Sequence, residues 1–274
     1  MIDSQLHIPQ LTDDGVGGPD NGYVAPRGTE SDLYDTVSQE QRPILGQTMN
    51  VDRIACTLQN EGSTKAFAFF SVFPKVISPA IEVAYRAVEK YPDLFVPFIQ
   101  ASCDGMAALE RPILDAMIGV RPGLFAGFEE VRDSPTESTN PKPDSDIYTG
   151  DFQVISDRGN ILVYFHPGVG HEDNLERALQ QFSDVTFIIH ADFVRPHVLG
   201  IMDRNPNVYY TYNDMFAISG EVGETFRFEE KDAFLSDMRS EWDRLLDDAD
   251  ALYRPMIEVH LDRFMWGTDR EDIV

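Results

Sequence analysis

The stretch Ile161-Leu162-Val163-Tyr164-Phe165-His166, answered by Val185-Thr186-Phe187-Ile188-Ile189-His190, decides the fold. Each is an unbroken apolar run followed at once by a histidine. Strands buried on both faces of a parallel sheet read as continuous apolar runs. Residues 172–184 between them carry a helical pattern. The unit is therefore strand–helix–strand, with an imidazole at the C-terminal tip of each strand. Chemistry in α/β folds gathers at those tips. Packing alone gives little reason for a histidine in the same place on two successive strands.

The alternation continues in both directions. Residues 1–8, 65–73, 94–101 and 124–131 read as strands one to four, and residues 48–61, 78–90 and 105–118 as the helices between them. Ser78 is placed to N-cap its helix, with Pro79 at the first helical position. A helix is expected over 147–157. After the central unit come a helix over 195–203, a strand at 208–212, a helical stretch over 233–264 with a break near Pro255, and an eighth strand at 264–267. The predicted fold is α/β, a parallel (β/α)8 TIM barrel, with residues 1–274 as one domain. The long polar connections follow strands one, four and seven at their C-terminal ends, the rim that carries function in such barrels. Only five residues follow Asp269, so the last helix is expected to be lacking, and truncation is the expected reason.

Composition limits the function classes. The net charge is −25, with 47 acidic residues against 22 Lys and Arg. Nucleic acid is excluded as an expected partner, because phosphate binding needs clustered cations. No stretch is long enough to span a bilayer, and no targeting peptide is visible. Cys56 and Cys103 are too few to staple the chain and read as reduced thiols of a cytoplasmic protein. The acidity fits an ordinary acidic enzyme or a halophilic protein whose counter-ions screen self-repulsion.

Strand one places Ile2, Leu6 and Ile8 on one face and Asp3, Gln5 and His7 on the other. With His166, His190, Glu130 at the end of strand four and Asp269 after strand eight, this chain resembles the amidohydrolase superfamily, in its amidohydrolase-related branch. That branch includes aminocarboxymuconate-semialdehyde decarboxylase-like enzymes and several lactone and ester hydrolases. The resemblance covers essentially the whole chain. Its best local matches are residues 2–7, 163–166, 187–190 and the Phe264-Met265-Trp266-Gly267-Thr268-Asp269 run.

The resemblance implies a divalent metal ion, usually zinc, held by His7, His166 and Asp269 with help from Gln5 or Glu130. Gln5 departs from the family's His-x-His pattern, and a neutral amide oxygen is a poorer zinc ligand than imidazole. It implies a hydrolase acting on a small amide, ester or lactone, with Asp269 moving the proton and His190 donating to the developing oxyanion. Non-oxidative decarboxylation of an aromatic or enoic acid in the same site stays open. So does a non-catalytic barrel with a degraded metal site. Arg195, Tyr212 and His171 are the candidate substrate-binding residues. A small-molecule substrate and a homodimer are the expected partners.

Overall fold

The computed structural model describes residues 2–8, 11–12, 15–16, 51–71, 77–100, 111–132, 142–168, 170–190, 195–212, 231–267 and 270–271. The barrel begins with β1 (Ile2–Ile8), and a small antiparallel ladder follows, β2 (Leu11–Thr12) with β3 (Gly15–Val16). Helix and strand then alternate: α1 (Val51–Asn60), β4 (Lys65–Ser71), α2 (Ile77–Lys90), β5 (Phe95–Gln100), α3 (Arg111–Val120), β6 (Gly127–Arg132) and α4 (Asp146–Arg158). The second half holds β7 (Leu162–His166), α5 (Glu172–Gln181), β8 (Phe187–Ile189), α6 (Arg195–Arg204), β9 (Val208–Tyr212), α7 (Lys231–Ile257), β10 (Phe264–Trp266) and β11 (Arg270–Glu271). The main sheet runs β10-β9-β8-β7-β6-β5-β4-β1-β11, every pair parallel.

The eighth strand is split. Its first half, β10, pairs with β9, and its second half, β11, pairs with β1 through Leu6–Arg270 and His7–Glu271. The two halves thus pair with opposite edges of the sheet, as the closure of a (β/α)8 barrel requires.

Strand alternation sorts the side chains into two cores. Phe69, Phe98, Tyr164 and Ile188 meet one another, with Phe67, Val96, Leu162, Tyr209 and Met265 packed around them, and fill the lumen. Their chain neighbours, among them Ala68, Ile99, Val163, Phe165, Phe187 and Tyr210, pack outward against the helices. This is the two-shelled core of a filled barrel, not a pore. Phe152 of α4 shows the outer shell at work: its ring meets Phe165, Phe182 and Phe187 edge to face at 6.1, 5.6 and 5.1 Å. Burying each such side chain contributes roughly 1.5–3 kcal/mol.

Several expected boundaries shift. Ser78 is the second residue of α2, not its cap. Helix α7 runs unbroken through Pro255 to Ile257. The proline stands in the last turn, where little helix remains to lose, and Tyr253 and Met256 beside it are buried. His260 therefore lies in the turn beyond α7, where Nε2 sits 2.8 Å from the Asp203 carboxylate. No described helix is long and apolar enough to cross a membrane.

Candidate active site

The central unit folds as its sequence predicts. Leu162 and His166 are half-buried and the three residues between them are buried, and lumen residues Leu162 and Tyr164 continue in step to His166. On the next strand Ile188 of the lumen precedes His190 by two residues, so both imidazoles stand on the lumen side at the C-terminal ends of adjacent strands. Their ring centroids lie 4.7 Å apart with planes at 83°. His190 is 4 % exposed, and its backbone N–H donates to Phe165 O at 3.2 Å, carrying the β7–β8 ladder up to the histidine.

An aromatic stack supports the pair. Tyr164 lies 5.4 Å from His190, Phe69 lies 5.0 Å from Tyr164, and Phe98 lies 5.2 Å from Phe69. These rings fix the two histidines from beneath and keep water out of the lumen.

β1 brings a second feature to the lumen. Its register slips between Asp3 and Leu6, where Asp3 pairs with Ala66 but Leu6 with Ala68, so β1 carries one extra residue there. Such a bulge breaks the two-residue alternation. Leu6 and Ile8 join the outer core as expected, but Ile2 is 49 % exposed. Ser4, unassigned by the sequence, reaches across: its hydroxyl donates to Trp266 O at 2.8 Å and lies 3.2 Å from Thr211 Oγ1. Asp3 beside it is also buried.

β6 has the same irregularity. Phe128 pairs with Val163 but Val131 with Phe165, so Glu129 and Glu130 share one step of the ladder. Regular two-residue alternation does not apply across that step. Beyond the bulge, Arg132 pairs in register with His166.

The remaining candidates fall in different places. Tyr212 turns away from the lumen. Its ring stacks on Tyr253 of α7 at 4.8 Å and 29°, and burial pushes its phenol pKa up. It belongs to the helix layer, one residue out of phase with the lumen residue Thr211. His171 is half-buried at the residue preceding α5, and its carbonyl accepts from Leu175 N at 2.9 Å. Arg195 is the first residue of α6. Gln5, His7, Glu130 and Arg195 have described backbones, while their side chains lie outside the described residues, as does the whole of Asp269.

The described residues thus supply two imidazole donors on neighbouring strand ends, chemistry that suits zinc. Among them no group of three or more His, Cys, Asp or Glu side chains could hold a metal ion. Further ligands would have to come from Gln5, His7, Glu130 or Asp269. Of the residues near those candidates, Arg270 and Glu271 pair with Leu6 and His7 of β1.

No protein-family model and no curated protein matches this sequence. Solved structures do. An uncharacterised TIM-barrel protein from Bordetella bronchiseptica matches 99% of this chain and 86% of its own, at 14% identity and a TM-score of 0.57. A 4-oxalomesaconate hydratase from Rhodopseudomonas palustris matches 99% of this chain and 82% of its own, at 10% identity and a TM-score of 0.53. A structure described as amidohydrolase 2, from Bifidobacterium longum subsp. infantis, covers 98% of this chain and 93% of its own at 13% identity, with a TM-score of 0.45. The neighbours include amidohydrolase-superfamily members. At these identities the likeness establishes the (β/α)8 barrel and nothing finer.

Proposed function

We propose that this protein is an enzyme of the amidohydrolase superfamily, a metal-dependent hydrolase of a small amide, ester or lactone. The observation that carries the reading is the edge-to-face apposition of His166 and His190, 4.7 Å apart on the C-terminal ends of β7 and β8.

His166, His7 and Asp269 would hold the ion, with Gln5 or Glu130 completing its shell. A bound zinc supplies Lewis acidity that brings the pKa of water towards neutrality. The chain's own groups handle the rest. Asp269 accepts the proton of the attacking water and returns it to the leaving group. His190, nearly sealed from solvent and backed by Tyr164, donates a hydrogen bond to the oxygen on which charge develops. A fixed imidazole in a dry site loses little to reorganisation, which gives that hydrogen bond its effect.

The test is metal content by inductively coupled plasma mass spectrometry, followed by screening against amides, lactones and esters. The purified protein should carry on the order of one zinc or manganese per chain, and His166→Ala should carry much less. His190→Ala should keep metal yet lose hydrolysis by roughly a hundredfold or more. Carbon dioxide release from an aromatic or enoic acid, without hydrolysis, would reassign the site to decarboxylation. Absence of metal even after incubation with zinc would leave a metal-independent or non-catalytic barrel.

A further inference from the structure

At the base of the barrel the end of α6 is joined to the start of β10 through one histidine and one arginine. Both stand on the turn that follows α7. His260 N donates to Ile257 O at 3.1 Å, and Arg263 N donates to His260 O at 3.0 Å, so the turn is closed on itself. Arg263 O then accepts from Tyr210 N at 2.9 Å, which carries the turn into the β9–β10 ladder. The turn therefore sets where β10 begins.

The last carbonyls of a helix have no partner within it. At the end of α6 the Arg263 guanidinium supplies one. Its Nη1 donates to Met202 O at 2.8 Å and to Asn205 O at 3.2 Å. Its Nη2 lies 2.8 Å from His260 Nδ1 and 3.4 Å from Nε2. On the other side of the ring, Nε2 lies 2.8 Å from Asp203 Oδ1. An arginine only donates and a carboxylate only accepts. His260 Nδ1 is thus the bare nitrogen, accepting from Arg263, and Nε2–H donates to Asp203. Only 15 % of the His260 side chain is exposed, so water does little to replace either partner.

Histidine changes charge between about pH 5 and 8. The protonated ring carries a donor on both nitrogens and has nothing with which to accept. Its bond to Asp203 survives and gains charge assistance, which keeps the ring in place. Its bond to Arg263 is lost, and two like charges are left in contact. We propose that His260 is a pH-sensitive latch: its neutral ring holds the Arg263 fork on the end of α6, and its protonation releases that fork and loosens the joint between α6 and β10. Among the described residues, the charged groups around the ring are Asp203 on α6 and Arg263 on its own turn. Arg204, next to Asp203, is engaged by Glu176 of α5, and Glu258 and Asp262 of the turn are exposed. The latch does not depend on the metal-dependent reading above.

The experiment is amide hydrogen exchange of the full chain, read by mass spectrometry over residues 201–210 and 258–266 between about pH 7.5 and 5, with the intrinsic pH dependence of exchange divided out. It compares the wild type with His260→Gln. A glutamine amide can donate to Asp203 and accept from Arg263 as the neutral ring does, and it does not titrate. Protection in the wild type should fall about tenfold towards the acid end, as loss of a hydrogen bond to a charged group does, and should stay level in His260→Gln. Unchanged protection in the wild type would overturn the proposal. So would the same fall in both proteins, which would place the sensitivity in other groups. Nitrogen chemical shifts of the His260 ring give a second measurement should His260→Gln fail to fold. A neutral ring with its proton on Nε2, and loss of the Arg263 contact on protonation, support the latch, whereas a neutral ring with its proton on Nδ1 overturns it.

Discussion

At position 127 a methyl group has nowhere to go. A Cβ there would lie 2.0, 2.2 and 2.6 Å from three ring atoms of Phe98. That ring is fully buried, stacked on Phe67 at 5.1 Å and edge-on to Phe69, so it has little room to yield. Gly127→Ala should destabilise the barrel by about 1–3 kcal/mol, seen as a lower urea midpoint with an unchanged slope. Nothing in the sequence marks this glycine, because the ring that excludes its side chain comes from the preceding strand. His166 and His190 were legible for the opposite reason: a polar residue closing an apolar run is visible without knowledge of any neighbour. Tyr212 was misread because lumen and helix layer differ by a single step along β9. Thr211, one residue earlier, is the one that faces inward. Tyr212→Phe should leave hydrolysis as in the wild type while lowering stability only slightly, and a raised KM in a folded variant would restore Tyr212 to the substrate site.

Elements reveal where local pattern suffices. The strands and helices follow apolar periodicity closely, and β9 falls on the predicted residues. Bulges escape such reading, since β1 and β6 each carry one residue more than their partners and only the pairing shows it. Helix α4 holds a further surprise on its buried side. Asp151 is 0 % exposed, neither carboxylate oxygen has a hydrogen-bond partner among the described residues, and desolvation pushes its pKa up from 3.8 to about 8. Below about pH 4 the carboxyl is protonated in both folded and unfolded chains, so no ionisation penalty is felt. As pH rises towards 8 the unfolded chain ionises and the folded one resists. Stability is therefore lost across that window, by up to about 1.4 kcal/mol per pH unit, and the full penalty stands above it. Asp151→Leu should melt higher than the wild type at pH 8, with the gap shrinking steadily towards pH 5. A gap independent of pH would mean that the gain is one of packing, not of charge.

Around the whole molecule the helices are joined pairwise by polar clamps. Lys90 bonds Asp52 at 2.7 Å, Arg121 bonds Glu82 at 3.0 Å, Arg158 bonds Asp115 at 2.9 Å and Arg177 bonds Asp144 at 2.8 Å. Arg204 pairs with Glu176, and His260 meets Asp203 at 2.8 Å. These link each described helix layer to the one before it, from α1 and α2 round to α6 and α7. Pairs this exposed contribute between nothing and about 1 kcal/mol each. Against them stands the mutual repulsion of a chain with net charge −25, which acts over longer distances and is screened more completely by salt. The melting temperature should accordingly rise between about 0.1 and 1 M potassium chloride. A fall would show that the clamps outweigh the repulsion and would remove the halophilic reading. Barrel closure has its own consequence, for the order of folding. Ser4 and Trp266 stand 262 residues apart in sequence, so their meeting closes one of the longest loops the chain can make. Until it closes, β1 and β10 each present a bare edge to the solvent, and bare parallel edges recruit other chains. The last step of assembly is thus both the one that completes the candidate site and the one during which this protein is most exposed to aggregation.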